Sequence, residues 1–267
     1  MSRPWQLVGV VHLPPLPGSP RAALPVREIA ASAARDARAL ASAGFDRVMI
    51  ENFGDAPFFA AAVPPVTVSA MTACALAVRE ACPDLSLGVN VLRNDAEAAL
   101  AIAAVVGASC IRVNVHTAAR VTDQGLVEGR AAETLRARRA LGADGADGVQ
   151  IWADVDVKHS ASLAARDVGR EADDLVVRGL ADAVLVTGEG TGHGVDLAKL
   201  RRVREALATA SVPVLVASGA TIDSLVALAG LCDGVIVGST LRAGGVAGGP
   251  IDAGRAEQFA TAFRRAR

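Results

Sequence analysis

Short apolar runs recur along the chain. Each is followed by a polar or glycine-rich segment, then by a longer stretch whose apolar residues return every three to four positions. The runs at 7–12, 47–51, 85–90, 110–116, 149–158, 183–187, 213–218 and 234–237 read as strands. The stretches at 26–42, 66–81, 95–106, 131–141, 167–179, 196–208, 222–231 and 252–265 read as helices. Strict alternation of strand and helix predicts a parallel sheet, and eight such units predict an α/β fold closed into a (β/α)8, or TIM, barrel. Residues 1–267 are expected to form a single domain of this kind, a usual length for such a barrel. A doubly wound sheet would call for a glycine-rich turn after the first strand. The first loop is proline-rich instead, so no dinucleotide is expected.

Segments leading from helix to strand are short, as in Ala43-Gly44-Phe45-Asp46 and Pro83-Asp84, whereas those leading from strand to helix are long and polar. The long loops of such barrels form the face that holds active sites. The stretch VVHLPPLPGSP, Val10 to Pro20, opens that face. Its four prolines fix φ and should make a stiff wall beside His12.

Alternation along the strands divides their side chains between helices and barrel interior. In the fifth run Ile151, Ala153, Val155 and Val157 are apolar and expected to meet the helices, which turns Asp154, Asp156 and Lys158 inward. In the fourth, Ile111, Val113 and Val115 are expected outward, with Arg112, Asn114 and His116 inward. Glu51, Asn90, His12 and Thr187 close other runs on the same side. A barrel interior built for stability alone would hold branched aliphatics, and buried charges are costly unless paired or used. Arg112 and Asp154 suit a structural ion pair low in the barrel. Glu51, His116, Asp154, Asp156 and Lys158 are the catalytic candidates. Lys158 is one of only two lysines among 27 basic residues, which marks it as a place where a compact amine is wanted. It reads as a cation stabilising an oxyanion, with a Schiff base as the alternative.

The strand-seven loop contains Ser218 and Gly219, and the strand-eight loop contains Gly238 and Ser239. Barrel phosphate sites form there, where glycines let backbone N–H groups approach an anion. His12, Asn90, Asn114, Thr187, Gly188 and Thr191 complete the candidate binding set, the last three from a glycine-rich loop suited to closing on a ligand. Residues 122–130 suit a lid. His12, Glu51, His116 and Asp154 offer nitrogen and oxygen donors, so a divalent metal such as Zn2+ or Mg2+ is a further candidate.

Composition narrows the classes. Lys+Arg total 27 and Asp+Glu 28, with no basic stripe, so no nucleic acid is expected as partner. No apolar segment reaches the roughly 20 residues of a membrane span and no signal peptide is visible. The four cysteines form no C-x-x-C pair and read as buried thiols, and the expected location is cytoplasmic. A homo-oligomer is expected from the prevalence of such assemblies.

Several stretches together resemble the BtpA family, also called BtpA/SgcQ: VVHLPPLPGSP, IENFGDAPF (Ile50 to Phe58), GVNVLRND (Gly88 to Asp95), RVNVHTAARVTDQGLVEGRAAE (Arg112 to Glu133), DVKH (Asp156 to His159), and the loops at 187–192 and 218–221. The resemblance spans nearly the whole chain. It implies kinship with a cyanobacterial member needed for photosystem I biogenesis and with a member linked to a sugar-uptake gene cluster. It brings no assigned reaction or catalytic residues.

Three functions stay open. The first is an isomerase or lyase acting on a small phosphorylated metabolite such as a sugar phosphate. The second is a metal-dependent hydrolase at the barrel mouth. The third is a non-catalytic assembly factor. Fold alone does not choose among them.

Overall fold

A computed structural model describes residues 5–188 and 194–267. Eight parallel strands close into a barrel: β1 (Gln6–His12), β2 (Arg47–Glu51), β3 (Ser86–Asn90), β4 (Cys110–Val113), β5 (Gln150–Val155), β6 (Ala183–Val186), β7 (Val214–Val216) and β8 (Gly234–Val237). They run in sequence order round the cylinder, and β1 pairs with β8 to close it. The helices between them are α1 (Val26–Ala43), α2 (Pro65–Ala81), α3 (Ala96–Val106), α4 (Ala131–Ala140), α5 (Val168–Val177), α6 (Leu197–Ala206), α7 (Leu225–Ala229) and α8 (Ala253–Arg265). This is the (β/α)8 architecture the hydrophobic pattern predicts. No helix among the described residues is long and apolar enough to cross a membrane.

The helices start and stop where their end chemistry dictates. Asp95, Asp167, Asp196 and Asp252 each accept a backbone N–H of the first turn, capping α3, α5, α6 and α8. Gly44 ends α1 in the left-handed region, φ 87°, so β2 can start three residues later. Between strands and helices lies one continuous aliphatic layer, to which Ile29, Leu40, Ile50, Leu100, Ile111, Ile151 and Val235 contribute. Inside the cylinder a smaller cluster of Val8, Met49, Cys110, Trp152, Leu185, Leu215 and Ile236 plugs the lower part. The Arg47 guanidinium lies 4.5 Å over the Trp152 ring there. All four cysteines are free and buried.

Two strands are shorter than the sequence pattern suggests. β4 ends at Val113 and β5 at Val155, not at His116 and Lys158. Beyond those points the backbone leaves the pleat, and the alternation argument stops applying. Val115 and Val157 therefore do not face the helices. With Val127 they form a separate cluster under a three-stranded antiparallel sheet of Ala119–Thr122, Gly125–Glu128 and Ser160–Ser162. The 122–130 segment expected as a lid contributes the strand Gly125–Glu128 to this sheet.

The proline run is pinned to the loop after β2. Leu13 N–H donates to Glu51 O (2.8 Å), Gly54 N–H to Leu13 O (3.0 Å) and Leu16 N–H to Asp55 Oδ1 (2.7 Å). Leu13 and Leu16 are buried beneath it.

Candidate active site

The strand register brings four polar residues into one row. His12 is the Cα partner of Glu51, Glu51 of Asn90, and Asn90 of Arg112, across β1 to β4. All four line a cavity of about 110 Å³ at the C-terminal end of the barrel. Asn114, Lys158, Ser218, Gly219, Gly238 and Ser239 also line it.

Each member of the row is held. Asn90 Nδ2 donates to Glu51 Oε2 at 2.6 Å, and Glu51 Oε1 lies 3.8 Å from His12 Nε2. The His12 ring stacks on Phe53 with centroids 4.3 Å apart. Gly248 N–H donates to His12 Nδ1 at 3.1 Å. Nδ1 is therefore the acceptor, and the proton of the neutral ring sits on Nε2, facing Glu51. Burial, with the charges of Arg242, Lys158 and Arg112 adding, holds His12 well below the usual imidazole range, so the ring is neutral at pH 7. Asn52 ties the neighbouring loops together: its Oδ1 accepts Leu92 N–H at 2.7 Å.

At the end of the row Arg112 forms a two-pronged ion pair with Asp154, Nε to Oδ2 and Nη2 to Oδ1, both 2.9 Å. Asn114 Nδ2 donates to the same Asp154 Oδ2 at 2.6 Å, which leaves Asn114 Oδ1 buried without a partner. Asp154 is thus fully engaged as a structural anion and does not line the cavity.

Lys158 follows β5, and its backbone N–H donates to Thr187 Oγ1 at 3.2 Å. Its amine makes no ion pair among the described residues. Burial pushes the ammonium pKa below its ordinary value; Glu51 pulls the other way, and Arg112 adds to the lowering. Beside it stands Arg93, only 6% exposed, whose Nη2 donates to Lys158 O at 2.7 Å.

Across the cavity lie the loops after β7 and β8. Gly219 has φ 82°, and Ser239–Leu241 forms a short 3-10 helix directly after β8. The N–H groups of Gly219, Ala220, Ser239 and Thr240 donate to no other backbone group among the described residues. A Cβ on Gly238 would stand 3.3 Å from the His12 ring, so glycine keeps this rim open. Behind it the buried Arg242 guanidinium donates to Gly238 O (2.5 Å), Gly249 O (2.7 Å) and Val10 O (2.9 Å), and burial lowers its pKa to about 10.

Besides Asp154, four expected members lie elsewhere. His116, fully buried, puts Nε2 2.8 Å from Gly179 O, away from the cavity. It sits three residues past the end of β4, where strand alternation has lapsed. Asp156 adopts φ 49°, which turns its carboxylate outward to Arg120 Nη1 (2.6 Å) and Lys199 Nζ (2.6 Å). Burial would raise its pKa, but Lys199 and Arg120 together hold it below the usual range. Thr187 is buried but bonds backbone and does not line the cavity, and neither does Gly188. Thr191 lies outside the described residues. The metal candidates do not converge: His12 and Glu51 are neighbours, but His116 and Asp154 face other partners. Among the described residues no group of three or more His, Cys, Asp and Glu side chains could hold an ion.

Sequence reasoning misses Arg93, Arg242, Phe53 and Lys199. Arg93 and Phe53 lie in loops beyond the strands, where no periodicity points to them. The scarcity of lysine was a usable signal for Lys199.

Residues 3–265 match the model of the BtpA family. The chain belongs to the BtpA family. The photosystem I biogenesis protein BtpA of Synechocystis is 42% identical over 96% of this chain and 87% of its own length. An uncharacterised protein of Methanocaldococcus jannaschii is 42% identical over 95% of this chain and 93% of its own. Among solved structures, phosphoribosyl anthranilate isomerase from Thermus thermophilus superposes with a TM-score of 0.56 at 14% identity, covering 98% of this chain and 100% of that one. The 3-keto-L-gulonate-6-phosphate decarboxylase of Vibrio cholerae gives 0.55 at 15%, covering 99% and 97%. At such identities the likeness is one of fold, and it places this BtpA-family chain among TIM barrels.

Proposed function

We propose that this BtpA-family protein is an enzyme acting on a small phosphorylated metabolite by isomerase or lyase chemistry. The observation that carries the reading is one cavity with a carboxylate–imidazole pair and an ammonium without an ion pair among the described residues on one side and backbone N–H groups after β7 and β8 on the other. The phosphate would sit against Gly219, Gly238 and Ser239. Glu51 would take a proton from the carbon beside the substrate carbonyl. The C–H electron pair becomes a C=C bond, and the carbonyl oxygen takes the charge beside Lys158. Return of the proton to the same or the adjacent carbon gives an epimer or isomer. Two fold neighbours are named for phosphorylated substrates, which agrees with this reading.

A thermal-shift panel tests it, with sugar phosphates and their parent sugars, with and without divalent ions. Phosphate esters should raise the melting midpoint where parent sugars do not. If no ester shifts it, the reading fails. For an ester that binds, Glu51→Gln should abolish deuterium exchange from solvent into the substrate. A second reading, an assembly factor, draws on the name of the Synechocystis relative. It gains if Glu51→Gln leaves the protein's cellular role intact.

A further inference from the structure

The wall over β4 has an arrangement that neither proton transfer nor phosphate binding uses. Round the closed barrel β4 lies four strands from β8 in either direction, so this wall faces the loop after β8 across the cavity. Three groups meet there. Arg93, from the loop after β3, is 6% exposed and has a buried Nε with no hydrogen-bond partner. Lys158, from the loop after β5, makes no ion pair among the described residues. Asn114, which lines the same cavity and is 3% exposed, points a buried Oδ1, unpartnered among the described residues, away from Asp154. That orientation is fixed, because only the amide nitrogen can face the Asp154 carboxylate.

Each group lacks something specific. The buried Arg93 and the half-buried Lys158 stand side by side with no ion pair among the described residues, and a buried amide oxygen lacks a donor among them. Arg112 does not supply either need, since Asp154 engages it on both sides. Glu51 is held by Asn90 and stands next to His12. We infer that the substrate carries, at the end remote from its phosphate, a 2-hydroxycarboxylate: the carboxylate accepts from Arg93 and Lys158, and the hydroxyl donates to Asn114 Oδ1. This deepens the phosphorylated-metabolite reading and rests on it for the other end of the molecule. Lys158 then faces both the carboxylate and the oxygen on the adjacent carbon. Burial lowers the pKa of both Arg93 and Lys158, as expected of cations awaiting an anion.

The test is titration calorimetry on the full chain with matched alcohol and acid probes: glycerol 3-phosphate against 3-phosphoglycerate, erythritol 4-phosphate against 4-phosphoerythronate, and sorbitol 6-phosphate against 6-phosphogluconate. In at least one pair the acid should bind about tenfold tighter or more. Arg93→Met should erase that preference while leaving alcohol phosphate affinity within about threefold, and Arg93→Lys should restore part of it. Asn114→Asp, whose added charge faces Asp154, serves as a control expected to weaken the acids. If no acid outbinds its alcohol, or if Arg93→Met weakens both members of a pair equally, the inference is overturned. The phosphate end is read separately. Gly219→Val should abolish binding of the alcohol phosphates. If no phosphate binds at all, the parent reading fails, and Arg93-dependent binding of unphosphorylated glycerate then decides whether the carboxylate site stands alone.

Discussion

The imidazole of His12 and the carboxylate of Glu51 stand 3.8 Å apart at the neighbouring ends of β1 and β2, with the His12 proton on the nitrogen that faces the acid. The pair is held from both sides: Asn90 bonds the carboxylate, and Phe53 and Gly248 fix the ring. Such a carboxylate is held in a fixed orientation, which suits a base that must take up and return a proton.

Glu51→Gln keeps the shape and removes the basicity. Turnover of a substrate found by the phosphate panel should fall about 10²- to 10⁴-fold, the usual contribution of a positioned general base. Urea unfolding should move by no more than about 1 kcal/mol. A variant with near wild-type turnover removes Glu51 from the proton-transfer role.

The Arg112–Asp154 pair tests a different kind of buried charge. Asp154→Ala leaves a buried guanidinium and the Asn114 amide without their shared acceptor. Removing one partner of a buried pair costs about 3–5 kcal/mol. The double variant Arg112→Leu with Asp154→Leu should be more stable than Asp154→Ala alone, because no uncompensated charge remains. Denaturant midpoints of the three chains check this. Equal losses in the single and double variants would show that packing, not charge, dominates at this level of the barrel.

Acid should weaken the fold through its histidines. Burial lowers the pKa of both His12 and His116, so between the unfolded value near 6.5 and the lower folded values the unfolded chain binds more protons. Stability is then fully present above pH 6.5 and is lost as pH falls through that window. Two such groups give a slope of up to roughly 2.7 kcal/mol per pH unit. Asp36 and Asp55, whose pKa values burial raises, oppose this as the carboxylate range is approached. Urea midpoints between pH 7.5 and 5.5 read the effect, and His116→Gln should roughly halve the slope. A flat profile would mean that neither ring titrates differently on folding.

How far the sequence foretells this site depends on where the pleat ends. Within strands the period of two places His12, Glu51, Asn90 and Arg112 on the cavity side. Beyond a strand it holds at some positions and fails at others: Asn114 and Lys158 still line the cavity, whereas His116 and Asp156 follow the same written alternation yet face away from it. The reason at Asp156 is a single left-handed backbone conformation, φ 49°, fixed by ion pairs to Arg120 and Lys199 from elements distant in sequence. Arg93 was illegible for a related reason. Its place on the wall depends on contacts with Lys158 O and Phe59 O, which no local pattern encodes.

A Cβ on Gly54 would lie 2.3 Å from Pro15 N, and Gly54 N–H donates to Leu13 O. The proline segment thus presses directly on the loop that carries Phe53 against His12. Its prolines cannot rotate φ to yield, so Gly54→Ala must displace one loop or the other. The expected cost is about 1–3 kcal/mol, the usual range for overpacking, with a loss of phosphate-ester turnover beyond what the stability change explains. Phe53→Leu separates the two effects: it removes the ring stack without the clash. If Gly54→Ala folds with wild-type stability and turnover, the wall has no hold on His12.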